Sequence, residues 1–102
     1  MNIHKLFFKA FSNETRLAII QLLKTKSLSV GEISAELDFE QSRVSHNLRC
    51  LEQCGFVQVE SKGNFRIYSL DKETMLPVLK LFDAHIKKYE ERLLCCDILG
   101  GK

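Results

Sequence analysis

The residues in this 102-residue sequence best equipped for chemistry are its four cysteines, Cys50, Cys54, Cys95 and Cys96. Cys50 and Cys54 stand four apart in "RCLEQCGFV". On a helix that spacing puts two side chains on one face, with Cβ atoms about 5–6 Å apart. Two thiolates so placed can converge on one ion at metal–sulfur distances near 2.3 Å, and a third sulfur would complete a trigonal soft site. Such donors favour thiophilic ions over magnesium or manganese. Arg49, beside Cys50, favours the thiolate. The same pair also suits oxidation to a disulfide or a persulfide bridge. The plain alternative is packing of small side chains at a helix end. Cys95 and Cys96 are adjacent and point in different helical directions, so one of the two is expected to join a given site. Their plain alternative is an exposed tail.

The bulk composition narrows what surrounds these thiols. Fifteen Lys and Arg stand against thirteen Asp and Glu, a formal charge of +2, so any nucleic-acid binding must come from local placement of charge. With 45% apolar and 27% charged residues, the chain reads as one globular domain over 1–102. The opening "MNIHKLFFKAF" has no long apolar run and no small-residue cleavage site, so it reads as an amphipathic helix rather than a signal peptide. No apolar run approaches the roughly 18 residues a membrane span needs. The expectation is a cytoplasmic chain with no membrane partner, in which the thiols stay reduced.

Periodicity supplies the elements that must position the cysteines. Ile3, Leu6, Phe7 and Ala10 mark a first helix. Ser12 or Asn13 caps a second, with Leu17, Ile20 and Leu23 turned inward. Ser29 and Glu32 have capping-box spacing and open a third, with Ile33 and Leu37 inside. A fourth runs from about Gln41 to Cys54 on a buried stripe of Val44, Leu48 and Leu51, and Gly55 ends it in a left-handed conformation. The pattern then alternates: Val57 and Val59, then Phe65 and Ile67, predict two strands joined at Lys62, Gly63 and Asn64. Asp71 or Thr74 starts a last helix that tolerates Pro77 only in its first turn. There Leu79, Phe82, Ile86, Tyr89 and Leu93 form a narrow helix-pairing seam. The predicted class is mainly α with a β-hairpin wing, in the order α-α-α-α-β-β-α. It comprises a helix-turn-helix over 29–54, a wing over 56–70 and a dimerisation helix over 74–97.

A recognition helix buries one face and offers hydrogen-bonding groups on the other. In the fourth helix the outward set is Gln41, Ser42, Arg43, Ser45, His46, Asn47 and Arg49. Arg reads guanine, Gln and Asn read adenine, and Ser suits phosphates or bases. Lys62 and Arg66 on the hairpin suit phosphate or minor-groove contact. Taken singly, each is an ordinary solvated residue; the ensemble points to double-stranded DNA. A wing used for protein contacts is the rival. Catalysis is disfavoured: a thiol hydrolase wants a Cys–His pair in a pocket, and His46 precedes Cys50 by four residues on the surface assigned to DNA.

Three segments, "FKAFSNETRLAIIQLL", "LSVGEISAEL" and "SRVSHNLRCLEQCGFVQVESKGNFRIYSL", together resemble the ArsR/SmtB family of winged-helix repressors. The resemblance covers about Phe8 to Leu70, with a compatible last helix. It implies a homodimer joined through its first and last helices, bound to operator DNA when ligand-free and released by metal, metalloid or thiol chemistry. One family site, a cysteine pair in the third helix, is absent, because Val30 and Gly31 stand there. A zinc site on the last helix is half matched by Asp83 and His85, but Cys95, Cys96 and Asp97 stand where its second half should fall. The cadmium- and lead-sensing branch places a Cys-x-x-x-Cys pair in the recognition helix, and Cys50 and Cys54 match it residue by residue. In that branch a cysteine from the C-terminal region of the other subunit completes the site, a role that falls to Cys95 or Cys96. The implied inducer is Cd, Pb, As(III) or Zn. It would compete with the operator for the same helix, and a redox or persulfide signal remains the alternative.

Overall fold

The computed structural model describes residues 1–100. Their elements run α1 (Ile3–Phe11), α2 (Glu14–Leu23), β1 (Leu28–Ser29), α3 (Val30–Leu37), α4 (Gln41–Gln53), β2 (Val57–Lys62), β3 (Phe65–Leu70) and α5 (Met75–Leu94). The chain divides into two units, Met1–Asp71 and the segment from Lys72 onward.

In the first unit each helix starts on a side-chain cap or closes on a defined stop. Asn13 Oδ1 accepts from the Arg16 N–H at 3.0 Å and opens α2. Ser29 and Glu32 form the full capping box of α3. That helix stops at Asp38, whose φ of 56° is left-handed, a conformation Asp tolerates better than most residues. The Ser34 hydroxyl then donates to the Phe39 carbonyl and closes the turn into α4. At the far end of α4, Gly55 takes φ 79°. Its N–H donates to Glu52 O and the Phe56 N–H to Leu51 O, at 3.1 and 2.8 Å. This paired closure satisfies two carbonyls that would otherwise be orphaned, and it carries buried Phe56 inward.

The core lies where the helices meet the sheet. Ile19, Ile20, Ile33, Val44, Leu48 and Leu51 are fully buried, with Leu23, Val57, Tyr68 and Leu70 close behind. Leu17, expected inside, is part-exposed; the α2 stripe runs instead through Thr15, Ile19, Ile20 and Leu23. The sheet has three antiparallel strands in the order β1-β3-β2. The hairpin register runs from Val57↔Leu70 to Lys62↔Phe65, with Gly63 at φ 62° in the turn. β1 adds Leu28↔Tyr68 and Ser29↔Ile67. This two-residue strand is the one addition to the expected order, and it is too short to carry a periodic signal.

The second unit holds α5, with Pro77 in its first turn as required. Tyr89, with φ −117° and ψ 22°, interrupts the expected regular seam. Around its ring gather His85, at 4.8 Å between centroids, and the cations of Lys88 and Arg92, at 5.3 and 5.0 Å. Among the described residues no helix is long and apolar enough to cross a membrane.

Candidate nucleic-acid interface and its thiol pair

Gln41, Ser42, Ser45, His46 and Arg49 are exposed along α4, on the face away from its buried stripe. Arg43 is exposed too, but it is tethered. Its Nε donates to Thr15 Oγ1 at 2.7 Å, and its guanidinium lies 3.8 Å from the centre of the Phe39 ring. Asn47 departs from the sequence expectation. It is 8% exposed, with Oδ1 accepting from Arg16 Nη1 at 3.2 Å and Nδ2 donating to Arg43 O at 2.9 Å. It sits next to Leu48 on the inner side, and an amide buried there must be hydrogen-bonded to be tolerated. Asn47 is therefore not part of the outward set.

Arg16 organises this corner. Besides Asn47, its guanidinium donates to Ala10 O at 2.9 Å and to Lys9 O at 3.3 Å, the last carbonyls of α1. One side chain thus ties the end of α1 and the start of α2 to the middle of α4. Composition and periodicity gave no sign of this role, because a lone Arg at a helix start reads as solvated. The "NETR" string quoted for the family resemblance was the available signal.

On the wing, Lys62 and Arg66 are exposed. Arg66 lies 3.9 Å from Glu52 and 5.9 Å from the Tyr68 ring centre, loose contacts that leave it able to reorient. Phe65, 65% exposed at the start of β3, is paired with Lys62. Strand alternation puts it on the outer face, and the sequence reading had not selected it.

Cys50 and Cys54 come together. Their side chains face one another closely enough to affect each other's ionisation, and both border a groove of about 500 Å³ lined by Ile3, Leu6, Phe7, Lys9, Ala10, Arg16 and Phe56. An edge-to-face pair of Phe7 and Phe56 rings, 5.3 Å apart, forms one wall. Lost hydration raises the Cys54 pKa above its ordinary value; the neighbouring Cys50, by charge and by hydrogen bond, adds to this, and Arg16 opposes it. A raised thiol pKa means fewer thiolates at neutral pH. Alkylation of Cys54 by iodoacetamide is therefore expected to reach half its limiting rate at a higher pH than for free cysteine. Cys50→Ala should move that midpoint down. Peptide mass spectrometry over a pH series checks both.

Cys95 is exposed and Cys96 half-buried, both beyond α5 in the second unit. Cys96 borders a smaller groove with His85, Tyr89 and Arg92. Among the described residues no group of three or more His, Cys, Asp or Glu is gathered to hold a metal within one copy. Asp83 and His85 both lie on α5, with His85 stacked on Tyr89.

A capped helix-turn-helix with its second helix exposing polar groups, followed by a hairpin with basic residues, defines a winged helix-turn-helix DNA-binding protein. Residues 13–59 match the model for "Bacterial regulatory protein, arsR family". The transcriptional repressor SdpR of Bacillus subtilis is 36% identical over 64 residues, covering 63% of this chain and 71% of that protein. A probable mercury resistance operon repressor of Streptomyces lividans is 27% identical over 96 residues, covering 94% of this chain and 77% of that protein. The structure of reduced HlyU from Vibrio cholerae superimposes with a TM-score of 0.70 at 30% identity, covering 91% and 90% of the two chains. The chain belongs to the arsR family of helix-turn-helix transcriptional regulators, and it is not an enzyme.

Proposed function

We propose that the chain is a homodimeric repressor that grips double-stranded operator DNA with α4 and its wing, and releases it when Cys50 and Cys54 capture a thiophilic metal or metalloid ion. The single observation behind this reading is that both thiols border one groove at the end of the helix that exposes Gln41, Ser42, Ser45, His46 and Arg49. Those five residues would read bases and phosphates, with Lys62 and Arg66 on the flanking backbone. Arg43, held by Thr15 and Phe39, would present a preset guanidinium. In a dimer the two copies of α4 enter successive major grooves about ten base pairs apart.

The thiol pair supplies two soft donors for Cd, Pb, As(III) or Zn, the cadmium- and lead-type ions fitting best. A third thiolate, Cys95 or Cys96 from a second copy, would complete the set. Arg16 offers the route of coupling, because it borders the thiol groove and hydrogen-bonds Asn47 within α4. Any shift of its guanidinium is felt by the reading helix. Such couplings amount to roughly 1–3 kcal/mol, a 5- to 150-fold loss of affinity. The mercury operon repressor among the relatives is in keeping with a thiophilic signal.

The test is an operator-binding titration with and without cadmium, at fixed salt. The wild-type protein should lose affinity within that range, while Cys50→Ser with Cys54→Ser keeps its ligand-free affinity and no longer responds. Release that survives in the double variant would refute the assignment. A second reading, oxidation or sulfur bridging of the pair, draws on the same placement of both thiols and on Cys54 standing at the helix cap with φ −87° and ψ 0°. Intact mass separates the two, because tetrasulfide treatment leaves covalent sulfur and cadmium does not.

A further inference from the structure

Phe65 stands at the end of the wing with 65% of its surface exposed. It follows the turn at Gly63 and Asn64 and pairs across the hairpin with Lys62. Cross-strand partners share a face, so the ring and the Lys62 ammonium emerge side by side. Arg66, the next residue, emerges on the opposite face. Glu60 shares the face of Lys62 but stands two residues back, so the tip itself is cationic. β3 is neither the first nor the last helix, the elements assigned to contact between copies, so the exposure of Phe65 is not that of a dimer contact left open. Apolar side chains scattered singly over a surface are ordinary. A ring bracketed by cations at the end of a narrow hairpin is a different arrangement, because the cations bring it to phosphate.

We propose that Phe65 lies edge-on in the minor groove beside the half-site read by α4, and selects A·T pairs there by excluding the guanine amino group. This deepens the operator-binding reading above and rests on it. Paired strands lie about 5 Å apart, and the minor groove is about 6 Å wide. A side chain projecting from the tip can therefore enter while the strands stay at the rim. On the groove floor an A·T pair offers two acceptors with the C2–H of adenine between them, and a G·C pair adds the N2 amino donor. Against a phenyl ring that donor loses its water and gains no acceptor. It also occupies the room the ring would take. Lys62 beside the ring, with Arg66, holds the phosphates along the walls. The preference is therefore a property of the wing, added to whatever α4 reads in the major groove.

The test starts from a duplex that the full-length protein selects out of a random pool. The pairs flanking each half-site are then made A·T, G·C or inosine·cytosine, which keeps the major-groove face of G·C apart from the missing N2 amino group. The wild-type protein should bind A·T and inosine·cytosine flanks alike and G·C flanks at least about fivefold more weakly, the low end of the cost of one wrong base pair. Phe65→Ala should bind all three flanks alike, and Phe65→Leu should keep part of the preference. Phe65 is exposed, so both variants should melt as the wild type does. Phe65→Ala should also leave the salt dependence of binding unchanged, whereas Lys62→Ala lowers its slope by about one and keeps the flank preference. Equal binding to all flanks by the wild type, inosine·cytosine behaving as G·C, or a preference that survives Phe65→Ala but not Lys62→Ala would each overturn the proposal. The last result would assign the preference to groove width read by the cation. A Phe65→Ala variant altered in its oligomeric state rather than in its flank preference would make the ring a protein contact, and would overturn the proposal too. A selected duplex with indifferent flanks leaves the operator reading standing, whereas a pool from which nothing is enriched overturns both.

Discussion

Arg16→Ala is expected to lower the unfolding free energy by about 2–3 kcal/mol, through lost hydrogen bonds from a charged donor and a stranded buried acceptor. The guanidinium serves Ala10 O, Lys9 O and Asn47 Oδ1 at once. Without it the last turn of α1 loses two hydrogen bonds to its carbonyls, and the amide oxygen of a nearly buried Asn47 loses its Arg16 partner. Against a total stability of roughly 5–15 kcal/mol for a small domain, this is a large fraction. Urea unfolding measures it. Arg16→Lys should recover little, because an ammonium cannot reproduce the planar fork. Asn47→Ala should cost less than Arg16→Ala, and the double variant less than the sum, since the two residues share a bond. Strict additivity would show that the pair does not act together. Operator affinity should also fall in Arg16→Ala, because α4 loses part of its seat.

The second large effect is expected from Leu48→Ala, at about 3 kcal/mol or more from lost burial and the cavity left behind. Leu48 is fully buried at the middle of the stripe that holds α4 to α2 and α3, among Ile20, Ile33 and Val44 in the same core. For a chain of this size the melting temperature should drop by at least roughly 10 °C. Ser45→Ala, on the exposed side of the same helix, should change stability by no more than about 0.5 kcal/mol. If Ser45→Ala instead weakens operator binding at unchanged stability, the outer face of α4 is the reading face. A Leu48→Ala variant that melts like the wild type would mean the stripe can collapse around the gap, which a core of fully buried branched side chains resists.

The parts of this architecture legible in the sequence were those with strong local chemistry. Ser29 and Glu32 announced their capping box by spacing alone, and it is present in full. Gly55 was assigned a left-handed stop and adopts one. Both depend only on residues within a turn of each other. The pairing of the thiols on one face was legible as an i, i+4 relation, but its surroundings were not. The groove is made by α1 and Phe56, which the chain brings to Cys50 and Cys54 from opposite directions in sequence. Asn47 was misassigned for a related reason. Its neighbours on the helical wheel leave it at the border of the stripe, and what draws it inside is Arg16, thirty-one residues earlier. Helical periodicity contains no information about a partner that far away. Leu17 shows the reverse error: an apolar residue assigned to the interior lies part-exposed while Ile19 fills the core.

The two-residue strand β1 looks negligible, yet it fixes a dimension of the molecule. Ser29 is both the cap of α3 and the partner of Ile67 on β3. The helix-turn-helix and the hairpin are therefore riveted at one residue rather than joined only through Gly55. A duplex meeting this protein encounters a caliper with its jaws already set. Operators whose groove spacing matches that gap are expected to bind with less deformation than the rest.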